Sequence, residues 1–282
     1  MGDERSVMLK LSYAKTRYKY RTLISKNRLK ELAAYRLQKR CDEEAVFVVE
    51  GPKMAAEAMA AAVPLRAVCA TGEWIERQKD TNFGNAELFE VSPAELERLS
   101  AMKSPNQVWM LAERTSAADA ALSATAAPFT LALDRIQDPG NLGTMLRTAD
   151  WFGVRHVVCS RDTASCFNPK AVQATMGAIF RTRVEYVDLP AWLDGCGQPV
   201  YGASLHGQSL AALQPGNSAP AVLVIGNESR GISPEVMARV SQPVLIPNLG
   251  GTAESLNAAV AAGILINWLS WNNYNIKKEE QR

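Results

Sequence analysis

The stretch DPGNLGTMLRTADWFG, residues 138–153, spaces an asparagine, a glycine and an arginine as N-x-G-x-x-x-R: Asn141, Gly143 and Arg147. On a helical wheel of about 100° per residue, Met145, Leu146 and Ala149 fall within about 60° of Leu142, a core-facing stripe, while Arg147 lies about 140° away. The guanidinium is thus held off the core. Gly143, four residues before it, and Asp150, three after it, share its face, so a bare backbone beside a cation admits the close approach of another group. Asn141 stands where an N-cap is expected and Gly153 where the helix stops, giving a helix over about 142–152.

Two further stretches carry polar side chains at the ends of apolar runs. In LVIGNESRGISPEV a strand ends at Gly226, and Asn227 and Glu228 follow in a turn before Ser233-Pro234 opens a short helix. In LIPNLGGTAESLNAAVAAGI, Gly250-Gly251 loosen the backbone, and Ser255 or Glu254 caps a helix that is apolar almost all round and is therefore expected to be buried. A buried helix that begins Ser255-Leu256-Asn257 calls for polar partners at its start. Other chemistries find no support. There is no G-x-G-x-x-G after a strand and no G-x-x-x-x-G-K-[ST], which disfavours a dinucleotide-binding or P-loop enzyme. The two histidines, His156 and His206, sit at no ligand spacing from a cysteine or from each other, so no metal is expected.

These residues must be positioned by regular elements, and the apolar pattern supplies two sets. The first comprises strands at AVFVVEG (45–51), LRAVCAT (65–71), AELFEV and QVWMLAE. Helices begin near Pro52 and at Ser92, with a polar helix or loop over about 74–79, so this set forms a compact α/β domain ending near residue 112. The small, polar stretch 114–128 reads as a linker. From Phe129 a second alternation runs FTLALDR, the Arg147 helix, HVVCS, a helix over 168–180, TRVEYV, LPAWLDG, PVYGASL, AVLVIG, SPEVMARV, PVLIP and the long Ala-rich helix from Ser255. Such alternation implies a mainly parallel sheet covered on both faces, with ligands gathered at the carboxyl ends of its strands.

Charge is distributed unevenly. Residues 1–40 hold 12 Lys and Arg against 3 Asp and Glu, so the rest of the 282-residue chain is net acidic although the whole carries +2. Tyr13, Tyr18 and Tyr20 are interleaved with Lys15, Arg17, Lys19 and Arg21, and the pattern continues through Lys26, Asn27 and Arg28 into a helix expected over about 27–38. Cations that neutralise phosphates beside rings that stack on bases suit an RNA strand, whereas the plain alternative is a solvated basic helix with a tail. Five cysteines without a C-x-x-C pair argue for a reducing compartment. No apolar run reaches the roughly 18 residues of a membrane span, and a cytoplasmic protein is expected.

Taken together, N-x-G-x-x-x-R, G-N-E-x-x-G (Gly226, Asn227, Glu228, Gly231) and I-P…S-L-N (Ile246, Pro247, Ser255, Leu256, Asn257) resemble the three ordered motifs of the SpoU/TrmH family of RNA ribose 2′-O-methyltransferases, in the SPOUT class. The resemblance covers about residues 128–270, and SKNRLKELAAYRLQKR…FVVEG is similar to the family's N-terminal substrate-binding domain. It implies a basic extension (1–20), an RNA substrate-binding domain (21–112), a linker (113–127) and a methyltransferase domain (128–282) with a C-terminal trefoil knot. It further implies S-adenosylmethionine as cofactor, contacted by Ala203, Ser204, Gly226, Ile246 and Leu256, and a homodimer whose active site is shared. The catalytic set would be Asn141, Arg147, Glu228, Ser255 and Asn257, acting on RNA, ribosomal ahead of transfer RNA by analogy. Arg147 would activate the ribose hydroxyl. A guanidinium has no free acceptor, so a clamp on phosphate or nascent alkoxide remains open for it, with Glu228 as the alternative proton acceptor. A non-catalytic RNA-binding factor on the same scaffold, or a base-methylating enzyme, are the rival readings.

Overall fold

The computed structural model describes residues 21–102, 104–114, 129–213 and 221–279, the side chains of Arg21 and of 272–279 excepted. Lys15, Arg17, Lys19 and residues 115–127 of the expected linker lie outside them. The chain divides into two compact units, Met1–Thr115 and Ser116–Arg282.

In the first unit, β1 (Arg21–Leu23), β2 (Val46–Glu50), β3 (Leu65–Ala70), β4 (Glu87–Glu90) and β5 (Val108–Glu113) form one sheet in the order β1-β4-β3-β5-β2. The β1–β4 and β3–β4 pairs are parallel, and β5 runs antiparallel to β2 and β3. The helix expected over 27–38 is broken. It comprises α1 (Lys26–Ala33), capped by Ser25, a 3-10 turn Ala34–Arg36, an extended Leu37 and α2 (Gln38–Glu43). Local bonds span the break: the buried Cys41 thiol donates to the Tyr35 carbonyl and the Tyr35 hydroxyl to Glu44 at 2.7 Å. Helices α3 (Pro52–Ala60), α4 (Gly72–Arg77) and α5 (Pro93–Leu99) follow their strands, the last opened by a full Ser92/Glu95 capping box.

The second unit contains β6 (Thr130–Leu133), β7 (His156–Ser160), β8 (Arg183–Val187), β9 (Val200–Ser209), β10 (Val222–Ile225) and β11 (Gln242–Leu245) in the order β11-β9-β10-β6-β7-β8. Every pair is parallel. Chain order runs outward from β6 to β8 and is then resumed on the far side of β10, so the strand order reverses between β6 and β10, where open parallel sheets form their crevice. The uninterrupted apolar strands follow from this: all four residues of β10 are buried, as both faces are covered.

Helix α6 (Pro139–Trp151) buries Leu142, Met145, Leu146 and Ala149 completely, the stripe the wheel predicts. It starts earlier than expected. Asp138 is the N-cap, with Oδ1 accepting from Asn141 N at 2.8 Å and Pro139 in the first helical position, so Asn141 lies inside the helix with its side chain free for other bonds. Gly143 is buried rather than open to a ligand. A Cβ there would come within 2.4 Å of the Ala171 carbonyl and 2.6 Å of Ala174 Cβ, so the glycine serves the packing of α7 (Pro169–Thr175) on α6. Asp150 pairs with Arg181 at 2.9 Å and not with Arg147. The helix expected over 168–180 stops at Met176 and Gly177, both at positive φ, and resumes as a 3-10 turn.

Helices α8 (Leu189–Gly195) and α9 (Pro234–Met237) pack Leu189, Leu193 and Val236 onto Ala132, Val158, Val200 and Val224 of the sheet. The terminal helix α10 (Ala258–Glu279) packs on α6. It starts at Ala258 rather than Ser255, with the Asn257 carboxamide oxygen accepting from Ala259 N at 2.9 Å and Val260 N at 3.3 Å. Nor is it buried all round: Ala258, Ala262, Leu265, Ile266 and Leu269 face inward, but Val260 and Trp271 are 52% and 61% exposed and Ile264 is exposed with them.

Candidate active site

Three strand ends of the second unit meet through side chains. Asn141, in the first turn of α6 after β6, donates from Nδ2 to Glu228 Oε1 at 2.9 Å. Its Oδ1 accepts from Asn257 Nδ2 at 3.1 Å, so one carboxamide joins residues 87 positions downstream and 116 positions downstream. The second oxygen of Glu228 accepts from Asn227 Nδ2 at 3.3 Å, and the same amide nitrogen donates to the Arg135 carbonyl at 2.8 Å. The relay Asn257–Asn141–Glu228–Asn227 thus has a fixed donor direction and places a half-buried carboxylate at its centre.

The chain between the strands is built to hold this relay. After β10, Asn227 and Gly231 exchange two backbone bonds of 2.9 and 3.0 Å, closing a tight loop. Asn227 Oδ1 accepts from the backbone N–H groups of Ser229 and Arg230, an Asx-type turn. Gly226 is required by this closure, because a Cβ would lie 2.2 Å from the Gly231 and Ile232 backbone. Beneath it, the buried Asp134 accepts from Ser233 N at 2.6 Å and anchors the start of α9 to the end of β6. At the head of α6, Lys170 lies 2.6 Å from Asp138 and holds its carboxyl below the usual carboxylate range, with the Asn141 N–H adding to the effect.

The structure brings Asn141, Glu228 and Asn257 together. It leaves Arg147 and Ser255 apart from them. Arg147 is exposed one turn before Trp151, itself 85% exposed, and makes no hydrogen bond or ion pair among the described residues. Ser255 is exposed and outside the relay. Asn227, which spacing did not single out as a site residue, is the pivot between Glu228 and the end of β6. Its signal was its place in the turn directly before Glu228.

The residues expected to contact a cofactor lie on β9, β10 and the segment after β11. β9 and β11 pair Gly202 with Pro243 and then Gln208 with Val244, so residues 203–207 of β9 bulge out opposite no partner, and Ala203 and Ser204 belong to this bulge. Leu205 in the bulge, Leu249 after β11 and Leu256 before α10 are 65%, 94% and 47% exposed. Three uncovered leucines on these segments offer the apolar cover that an adenine ring needs, with backbone groups beside them for its edge, so the donor set fits an adenosyl cofactor. Ile246 is half-buried on the same segment.

In the first unit, Lys26 and Asn27 are exposed, whereas the Arg28 guanidinium is paired with Glu31 at 2.9 Å and also with Glu87. Among the described residues no group of His, Cys, Asp and Glu could hold a metal ion, and no helix is long and apolar enough to cross a membrane.

The strand-end segments of a reversing parallel sheet thus bind one another through Asn, Glu and Asn side chains. Residues 128–267 match the SpoU rRNA methylase family and residues 26–110 the MRM3-like substrate binding domain. A TrmH-family protein of known structure from Porphyromonas gingivalis is 38% identical with a TM-score of 0.75, over 88% of this chain and 98% of that one. The S-adenosylmethionine-bound rRNA methyltransferase of Sinorhizobium meliloti is 25% identical with a TM-score of 0.75, over 88% and 96%. The 23S rRNA (guanosine(2553)-2′-O)-methyltransferase RlmP of Bacillus subtilis is 40% identical over 139 residues, 48% of this chain and 55% of the relative. The chain thus spans about half the length of that curated relative. It belongs to the SpoU/TrmH family of RNA methyltransferases.

Proposed function

We propose that this protein transfers a methyl group from S-adenosylmethionine to a ribose 2′-hydroxyl of RNA, ribosomal ahead of transfer RNA. The observation that carries this reading is the relay Asn257–Asn141–Glu228, which joins the three motif loops at one point. The cofactor, when bound, supplies an electrophilic sulfonium methyl, so the protein has chiefly to align the ribose oxygen and accommodate one proton. Glu228 is held by two amide donors with its carboxylate fixed in direction, which suits it to accept that proton or a bond from the hydroxyl. Asn141 and Asn257 orient it. Arg147, which has no acceptor, serves as a cation for phosphate or nascent alkoxide. Ala203, Ser204, Gly226, Ile246 and Leu256 would hold the cofactor, in the trefoil knot that the family implies.

Within one chain Arg147 does not reach the relay, standing about 9 Å further along α6 than Asn141 and about 120° around it. A homodimer packed through the exposed face of α6 and α10 answers both this separation and the uncovered Trp151, Val260, Ile264 and Trp271. The first unit, with the basic stretch at its start, would hold the RNA, in the cytoplasm. Calorimetric titration with S-adenosylmethionine, followed by nucleoside digestion of RNA methylated by the protein, tests the reading. Binding in the micromolar range and a 2′-O-methyl nucleoside are expected. Absence of cofactor binding would favour the non-catalytic factor, and a methylated base the other SPOUT chemistry.

A further inference from the structure

Arg135, at the end of β6, has a backbone conformation that an arginine seldom adopts. Its φ is +58°, in the left-handed region that favours glycine or asparagine and costs other residues about 1 kcal/mol or more. The surroundings enforce it. Arg135 N donates to Ser160 Oγ at 2.8 Å, and its carbonyl accepts from Asn227 Nδ2 at 2.8 Å. Ser160 is itself held by Asp162 at 2.7 Å and lies 3.0 Å from the Thr163 hydroxyl, while Ala164 N donates to the Ile136 carbonyl at 2.8 Å. The segment is clamped on both sides.

None of those bonds uses the side chain. A glycine would form every one of them with less strain, so the backbone gives no reason for an arginine. Packing gives none either. The guanidinium has a single ion pair among the described residues, a long one of 3.7 Å from Nε to Asp134, and Nε is buried without a hydrogen bond. A five-donor cation on a rigid, strained backbone, one amide from Glu228, is arranged to meet an anion that the chain does not supply.

We propose that Arg135 is an RNA-positioning residue, its guanidinium gripping a backbone phosphate of the strand whose ribose lies at the Asn141–Glu228–Asn257 relay. The cofactor's carboxylate is the other anion of suitable shape, and the sheet order argues against it. The cofactor segments are β9, the end of β10 and the chain after β11, whereas Arg135 ends β6 and is tied through its N–H to β7, on the side of β6 away from β10. The inference rests on the RNA methyltransferase reading above.

The test compares the full-length protein with Arg135→Gly and Arg135→Lys, using unmodified, protein-free large-subunit ribosomal RNA made by transcription. Arg135→Gly is expected to keep or raise the thermal midpoint and leave S-adenosylmethionine affinity unchanged. Its KM for RNA should rise about tenfold at nearly constant kcat, and its slope of log affinity against log salt should fall by about 0.7–1. Arg135→Lys should recover part of the RNA affinity. Unchanged RNA affinity in a stable Arg135→Gly protein would overturn the proposal, as would a loss of cofactor affinity with RNA affinity intact. Failure of the unsubstituted protein to bind or methylate any RNA would instead overturn the functional reading beneath it.

Discussion

Gly143 and Ala171 lie backbone to backbone: a Cβ on the glycine would stand 2.4 Å from the alanine carbonyl oxygen. In an isolated helix the change Gly143→Ala gains about 1 kcal/mol of propensity. Here the clash with backbone outweighs that gain, because neither helix can yield without moving the start of α6. Gly143→Ala should destabilise the protein by about 1–3 kcal/mol in chemical denaturation. Equal or greater stability would mean that α6 and α7 are not packed this closely.

Arg147→Ala should abolish methyl transfer, by a factor on the order of 10² or more, with stability and cofactor affinity unchanged, since the side chain is exposed and bonded to no described residue. Single-turnover assays with equilibrium cofactor binding measure both. Activity within a few-fold of the unsubstituted protein would reduce Arg147 to a solvated surface charge.

The relay has a donor direction, so an isosteric change can reverse it. Glu228→Gln can still accept from Asn141 at one end but turns a donor toward Asn227 Nδ2 at the other. Methyl transfer should fall about 10²-fold or more, with a melting temperature within a few degrees, because the site is half-exposed and can rehydrate. Asn257→Ala removes only the outer donor and should cost less. Equal losses in the two variants would show that the chain of bonds does not set the carboxylate's direction.

Trp268 of α10 is half-buried and packs edge-on against Tyr201, with ring centroids 5.8 Å apart, so changing it would disturb the fold. Val260, on the exposed face, is the better probe. Val260→Glu should leave the fold intact, convert a dimer of twice 30.7 kDa to monomer in sedimentation at micromolar concentration, and remove activity with it. A fully active monomer would refute both the interface and the shared site.

The strands were legible because strands buried on both faces are written as unbroken apolar runs, and VFVVE, HVVCS and VLVI fall where the structure has them. Helix ends were less so. Asp138 and Asn141 are both good caps, and which one takes the role depends on Pro139 and on the pull of Glu228 across 87 residues. The breaks at Leu37 and Met176 leave no trace in the apolar periodicity. Of the site, Asn141, Glu228 and Asn257 were visible only as members of three motifs read together. The positive φ at Arg135 has no counterpart in composition or spacing. Gly143 was visible, but its neighbour was not: the wheel gave it a face and could not say that α7 fills it.

The bulge in β9 separates two demands that a continuous strand would have to meet together. Pairing with β11 holds at Gly202 and again at Gln208, so the sheet's register is independent of how many residues lie between. Gly207 is fixed by close approach, the Pro243 and Val244 backbone lying 2.6 Å from where its Cβ would be. The bulge can therefore lengthen or shorten as an expansion joint does, absorbing the difference while the beams on either side stay put. In the course of descent, the contour presented at this edge of the sheet can drift without disturbing the relay across β10.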